Sequence, residues 1–384
     1  MFRSSFRLPF DIFGIPIKLD ATFVLLVALL TWLIGARVGA YVDLFGLEVD
    51  AQRLQQGATP WLLGLLSALG LVVSVLIHEL SHALTARRYG VEIKEIRLWI
   101  LGGIAQFREM PQQPRAEAVV AIMGPVASAV LGLLLFGVTN LLGAAAGAAL
   151  VVLSYLASVN IVLAVFNLLP ALPMDGGRVL RSLLALRMSH LRATRVAAGV
   201  SQVLAVLMGI FGLLTFNLFL VGIAFFVWIA VQAEAQFATV SRALEDITVR
   251  DLMSRDVDTV HPDTDLDSFV QTMFERKHVF FPVVDEHEKV VGVIRLQNVE
   301  GTDRGERVAD VMSREVTTIG PDASAVEAFT RINESDGRRL VVTDTQGGMV
   351  GVLSTTDLLR AVQVRMAGRD IGGGGSGAGR IQPG

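Results

Sequence analysis

No cysteine occurs among the 384 residues, which excludes disulfides, a thiolate nucleophile and thiolate metal ligands. Any metal site must therefore be built from His, Asp or Glu. Charge is scarce too: 18% of residues are charged, against about 25% in an ordinary globular domain. With 52% hydrophobic residues and a mean hydropathy of +0.56, this shortage excludes a disordered chain and argues against an enzyme soluble throughout. The net charge of −3 offers nucleic acid nothing, and no nucleic-acid partner is expected. That average conceals a split. Residues 1–240 carry 16 basic and 12 acidic side chains, a balance of +4, whereas 241–384 carry 17 and 24, a balance of −7. Two unlike parts share the chain.

Two long windows hold no charge at all: Ala118 to Met174, 57 residues, and Val196 to Ala233, 38 residues. A membrane crossing needs about 20 apolar residues, so each window reads as two spans joined by a turn, near Asn140–Gly143 and near Thr215–Asn217. Two further spans precede them, at about Ala21–Ile34 and about Trp61–Ala86, making six in a lipid bilayer. Asp11, Lys18 and Asp20 interrupt the stretch before the first apolar run, which does not read as a cleaved signal. Six spans place both termini on one side. The segments on that side carry 14 basic residues and the opposite loops only Arg37 and Arg53, so both ends are expected in the cytoplasm.

Ionisable groups within a span are costly and point to function. The second span ends Ile77-His78-Glu79-Leu80-Ser81-His82. A spacing of four puts His78 and His82 on one helix face, able to grip one ion, with Glu79 beside them. A catalytic zinc takes three protein ligands and leaves one position open for water. The best candidate for the third closes the fourth span, Asn167-Leu168-Leu169-Pro170-Ala171-Leu172-Pro173-Met174-Asp175-Gly176-Gly177. The prolines end the helix, the glycines permit an unwound backbone, and Asp175 is the charge at the break. Irregular backbone at membrane depth survives where it is buried in protein or lines a watery cavity. Asp175 can be the third ligand or the cap of a following helix.

These two motifs, in this order and setting, resemble the site-2 protease family of intramembrane zinc metalloproteases over about Phe13–Glu234. Gly14-Ile15-Pro16-Ile17, Gly102-Gly103-Ile104-Ala105 and Gly124-Pro125 also match. The resemblance implies that His78, His82 and Asp175 bind Zn2+ and that Glu79 is the general base. It implies a substrate that is itself a transmembrane-helix protein. Asn167 matches the family's asparagine, implying a hydrogen bond to substrate or intermediate; an amide that satisfies the broken helix is the alternative.

Ile96-Arg97-Leu98-Trp99-Ile100-Leu101 is β-prone, Gly102-Gly103 can turn, and Ile104–Phe107 can return, so a hairpin is expected. The family has a membrane-associated β-hairpin here. A helical substrate hides its carbonyls in hydrogen bonds and must unwind, and an exposed edge could receive it by strand addition. Ile96, Leu98 and Ile100 are the expected substrate strand; a plain connector is the alternative.

Residues 247–302 and 307–364 repeat with a period of 59, as in Val249-Arg250-Asp251-Leu252-Met253-Ser254 and Val308-Ala309-Asp310-Val311-Met312-Ser313. Each repeat mixes helical stretches with short β-branched strands. The pair resembles tandem cystathionine-β-synthase (CBS) domains, soluble α/β units that pack into one module. In the second repeat Ser354, Thr355 and Asp357 match the family's nucleotide pattern, implying ATP or AMP with Asp357 on ribose. In the first, Asn298 stands for the aspartate and Arg295 and Leu296 for the hydroxyl residues, so at most one adenine-nucleotide site is expected. A homodimerisation module with Asp357 as a helix cap is the alternative. The Gly-rich residues 365–384 read as a flexible tail.

The expected molecule is a polytopic α-helical membrane protein of six spans and a β-hairpin over residues 1–240, followed by a cytoplasmic CBS pair. The expected activity is intramembrane proteolysis, tuned by adenine nucleotide. Its rival is a non-proteolytic receptor or scaffold that senses nucleotide through the same pair. Glu79 favours the enzyme, because a binding protein has no use for a buried base beside two zinc-spaced histidines.

Overall fold

The computed structural model describes residues 5–99, 102–107, 113–299, 306–334 and 339–372. The chain forms two compact units, Met1–Gln236 and Phe237–Gly384.

In the first unit, β1 (Ser5–Ile12) and β2 (Ile15–Asp20) lead into α1 (Ala21–Gly35), then α2 (Val38–Leu44) and α3 (Ala51–Leu54). Asp20 caps α1 by accepting from the Thr22 backbone N–H at 2.9 Å. Next come α4 (Thr59–Arg88), β3 (Ile93–Trp99) and β4 (Gly102–Phe107). They are followed by α5 (Pro114–Leu142), a 3-10 turn at Gly143–Ala146 and α6 (Ala149–Asn167). The unit closes with α7 (Asp175–Ala185), α8 (His190–Leu214) and the part of α9 (Leu218–Leu244) up to Gln236. Proline at the first turns of α4 and α5 costs no hydrogen bond there.

Five described helices are long and apolar enough to cross a membrane: α4, α5, α6, α8 and α9. The first expected span differs. α1 has only 15 residues and reaches a sixth crossing only if joined to α2, from which it is bent by 62°. At 1.5 Å per residue α1 alone is too short for a hydrocarbon core of about 30 Å.

The strands form one sheet in the order β1-β2-β3-β4. β2 lies parallel to β3, with Ile17 opposite Ile96 and Leu19 opposite Leu98, and β4 runs antiparallel to β3. On one face Ile15, Ile17, Ile96 and Leu98 are buried with Ala83 and partly buried Leu76, Leu80 and Leu84 of α4. The sheet therefore docks on the half of α4 that carries the histidines. Lys18 Nζ (2.6 Å) and Arg97 Nη2 (2.9 Å) pair with Glu95. Burial pushes the Glu95 carboxyl up, yet these two cations hold it below its ordinary value.

This order corrects the expected substrate strand. β3 has hydrogen-bonded neighbours on both sides, and Ile96 and Leu98 are 0% and 3% exposed against α4. A strand with both edges paired cannot receive another chain. Ile100 lies outside the described residues. Within the sheet the edges belong to β1 and β4.

In the second unit, α10 (Val249–Leu252), α11 (Leu266–Arg276), β5 (Phe280–Val284), β6 (Val290–Arg295) and α12 (Leu296–Val299) form the first repeat. α13 (Val308–Val311), β7 (Thr318–Ile319), α14 (Ala325–Glu334), β8 (Arg339–Thr343), β9 (Met349–Ser354) and α15 (Thr355–Gly372) form the second. The repeats exchange elements symmetrically. Ser254 bridges Val352 and Ser313 bridges Val293, while Val249 sits in the second repeat's core and Val308 in the first's. Neither repeat completes its core alone.

Two expected boundaries shift. The short connector expected at Gln236–Ile247 is helical as far as Leu244, and Ala243 and Leu244 are buried in the core of the second repeat. The tail expected from residue 365 begins inside α15, which continues to Gly372. Arg365 Nη1 donates to the carbonyl oxygens of Ala243, at 3.1 Å, and Glu245.

Because β3 is interior, Leu98→Pro should remove the sheet and not merely slow a reaction, since proline deletes a ladder donor. The expected outcome is a large fall in the thermal midpoint of the detergent-solubilised chain. A wild-type midpoint would contradict the sheet order.

Candidate metal centre

α4 brings His78 and His82 one turn apart onto its buried face, and α7 brings Asp175 to meet them. Three distances define the cluster: His78 Nε2 to Asp175 Oδ2, His82 Nε2 to Asp175 Oδ2, and His78 Nε2 to His82 Nε2, each 3.2 Å. All three residues are buried. Among the described residues this is the one group of three or more such side chains able to hold a metal.

At His82 the outer ring nitrogen fixes the inner one. His82 Nδ1 lies 2.7 Å from the Val120 carbonyl oxygen, which can only accept, so Nδ1 carries the hydrogen and a neutral ring turns its Nε2 lone pair inward. His78 Nδ1 is held at 2.9 Å by Ser128 Oγ of α5. Where both Nε2 atoms and the carboxylate face inward as acceptors, they repel unless a proton or a metal cation lies between them. Zinc–ligand bonds of about 2.0–2.1 Å at a tetrahedral angle place ligand atoms about 3.3 Å apart. The observed triangle fits a tetrahedral Zn2+ with its fourth position open.

Space for the cluster depends on Gly124, in the turn of α5 before Pro125. A methyl group there would come 2.2 Å from His82 Nε2 and 2.7 Å from His78 Nε2. Asp175 is delivered by the break after α6. There the Leu172 backbone N–H donates to Ser201 Oγ of α8 at 2.7 Å, and Ala171, Leu172 and Met174 are buried with Ala197, Ala198 and Val231. Side chains at Gly176 and Gly177 would strike backbone of Leu168, Leu169, Ala171 and Leu172 at 2.3–2.7 Å. Met174, not Asp175, is the N-cap of α7, and the Asp175 carboxylate faces the histidines.

Glu79 lies partly buried beside the cluster, its side chain against β4. A Cβ on Gly103 would come 2.5 Å from Glu79 Cγ and 3.2 Å from Cδ. Asn167 ends α6, and its Nδ2 donates to the Leu163 carbonyl of its own helix at 2.9 Å. Sequence reasoning missed Ser128 and the Val120 carbonyl. A serine in an apolar helix carries no distinguishing signal, and a backbone carbonyl carries none at all.

In the soluble unit Asp357 Oδ2 accepts from the Ser354 N–H at 2.9 Å and from Ser354 Oγ at 2.6 Å, capping α15. Asn298 Oδ1 accepts from the Arg295 N–H at 3.0 Å in the corresponding place. Capping is thus common to both repeats. The hydroxyls of Ser354 and Thr355 beside it have no counterpart at Arg295 and Leu296.

Comparison with known proteins decides the family. The model of peptidase family M50 matches residues 66–149 and 143–211, and that of the CBS domain matches 249–299 and 308–364. A zinc metalloprotease of Methanocaldococcus jannaschii is 32% identical over 363 residues, covering 94% of this chain and 96% of that protein. The chain belongs to peptidase family M50, the site-2 proteases. A solved site-2 protease from the same archaeon is 32% identical and covers 60% of this chain and 95% of its own, with a TM-score of 0.41. CBSX2, a CBS-pair protein solved in complex with AMP, is 26% identical over 31% of this chain and 98% of its own, with a TM-score of 0.29. As an M50 member the chain is a multi-pass membrane metalloprotease carrying a CBS pair.

Gly124→Ala should abolish zinc binding in the solubilised protease while leaving its helical content intact, as metal analysis and circular dichroism would show. Full zinc occupancy would mean that the metal lies elsewhere.

Proposed function

We propose that this protease hydrolyses peptide bonds in or beside the transmembrane helices of membrane-protein substrates, with zinc held by His78, His82 and Asp175. The observation that carries the reading is the buried triangle of ligand atoms 3.2 Å apart, with Glu79 next to it on the same helix. Bound there, zinc would polarise a peptide carbonyl and lower the pKa of water towards about 7. Glu79 takes a proton from the attacking water and returns it to the leaving amine. Its partial burial keeps it among few competing waters. Asn167 sits at the break that delivers Asp175, and its side-chain oxygen serves the substrate backbone while its Nδ2 stays on Leu163.

The substrate is received as a strand on the edge of β4. Two observations support this: β4 borders the sheet with β3 as its hydrogen-bonded neighbour, and its Gly103 lies against Glu79. A chain added there has its carbonyls near the general base.

The charge bias of the loops supports cytoplasmic termini and a cytoplasmic CBS pair. The pair binds ATP or AMP in the cleft of the second repeat. A carboxylate has about four acceptor sites, so Asp357 can cap α15 and still accept ribose hydroxyls, with Ser354 and Thr355 towards phosphate. Apolar side chains exposed on this unit, Phe274 at 77% and Val364 at 68% among them, support a homodimer through it.

Glu79→Gln should retain zinc and lose proteolysis by about 10³-fold or more, as expected for a missing general base, whereas His78→Ala, His82→Ala and Asp175→Ala should lose both. Metal analysis beside cleavage of a reconstituted transmembrane substrate reads this. Full zinc in Asp175→Ala would refute the three-ligand set, and cleavage by Glu79→Gln would refute the base.

Calorimetry with AMP should show binding that Asp357→Ala weakens and Asn298→Ala leaves unchanged. No heat at millimolar AMP or ATP would reduce the pair to an assembly device.

A further inference from the structure

Outside the metal centre, the membrane unit buries a second cluster of charge around Arg181 of α7. Arg181 Nε and Nη2 both donate to Oε1 of Glu117, Nε at 2.9 Å, and Nη1 donates to Oε1 of Glu234 at 2.7 Å. Glu117 belongs to the first turn of α5 and Glu234 to α9, so one guanidinium ties three helices together. Arg181 is 7% exposed and Glu117 4%. His190, the first residue of α8, lies within electrostatic reach of all three. The hydrolytic chemistry uses none of these groups.

What the cluster does follows from the composition of α7. Its buried residues are Asp175, Gly176, Gly177, Arg181 and Ser182, with no apolar side chain among them. Leu183 and Leu186, by contrast, are 55% and 52% exposed. Partly buried Leu180 packs against the core formed by Ala171, Leu172 and Ala197, but apolar packing is non-directional and leaves the helix's rotation and axial position weakly set. The close contacts of Gly176 and Gly177 restrain how near the first turn lies to the loop, but a glycine gives no directional grip. Arg181 supplies one, because a guanidinium is a planar fork whose donors have fixed directions. It stands six residues after Asp175, about 9 Å along a stiff helix.

We propose that Arg181 is the positioning residue of the third metal ligand: by pairing with Glu117 and Glu234 it fixes the rotation of α7 and thereby the aim of the Asp175 carboxylate. The proposal rests on the reading of Asp175 as a ligand. It makes the ion cluster part of the metal centre's affinity, although it touches neither metal nor substrate. Lysine, a point charge without the fork, replaces Arg181 only in part.

The test uses the full chain in detergent, loaded with zinc or with cobalt(II). It reads the rate of metal loss to EDTA and the visible absorption of the bound cobalt, which depends on ligand geometry. Arg181→Met that remains monodisperse and helical should lose metal about tenfold faster than wild type, as do variants of groups that orient ligands. Its cobalt bands should be weakened or shifted, and Arg181→Lys should fall between the two. A folded Arg181→Met with wild-type metal loss and an unchanged cobalt spectrum overturns the proposal. Where Arg181→Met does not fold, Glu234→Gln decides, because it keeps the Glu117 pair: faster metal loss supports the proposal and a wild-type rate overturns it. A wild-type chain that takes up neither metal would overturn the ligand reading itself, and the proposal with it.

Discussion

Two imidazole nitrogens and a carboxylate oxygen meet inside an apolar helix bundle, an arrangement that a bound metal cation would satisfy. Buried acceptors are costly unless a donor or a cation meets them, and these three atoms share one 3.2 Å triangle. The rest of the membrane unit is arranged to keep the triangle small. Ser128 and the Val120 carbonyl turn the rings, and Gly124 leaves them room.

The third corner is the difficult one. His78 and His82 share a helix and need only the spacing of four. Asp175 comes 93 residues after His82 and must cross from a different segment. The chain solves this by ending α6 and packing the proline loop against α8. It then restarts as a short helix whose first turn is stripped to glycine. α7 is held by Leu180 on the core and by the ion pairs of Arg181, which add the direction that apolar packing lacks.

Much of this was legible in the sequence because it is local. Uncharged windows marked the helices, a four-residue spacing marked the histidines, and the aspartate announced itself as a lone charge beside two prolines. The period of 59 likewise read directly as two similar units. What stayed hidden is non-local. Parallel pairing of Ile17 with Ile96 spans almost 80 residues and makes the strand expected to receive the substrate an interior one. The first expected span, Ala21–Ile34, coincides with α1, but that helix is short and the chain bends by 62° before α2. Arg181 read as one more basic residue on the cytoplasmic side, since nothing local shows that Glu117 and Glu234 converge on it.

The repeats of the soluble unit follow the same logic at larger scale. Each completes its core with a valine from the other, so the pair is one folding module. The claim on which everything else depends is that zinc sits in the triangle. X-ray absorption at the zinc edge, on the purified full chain, tests it most directly. The expected result is a four-coordinate shell of nitrogen and oxygen at about 2.0–2.2 Å, with outer-shell scattering from two imidazoles. A six-coordinate oxygen shell, or a shell without two imidazoles, would contradict it.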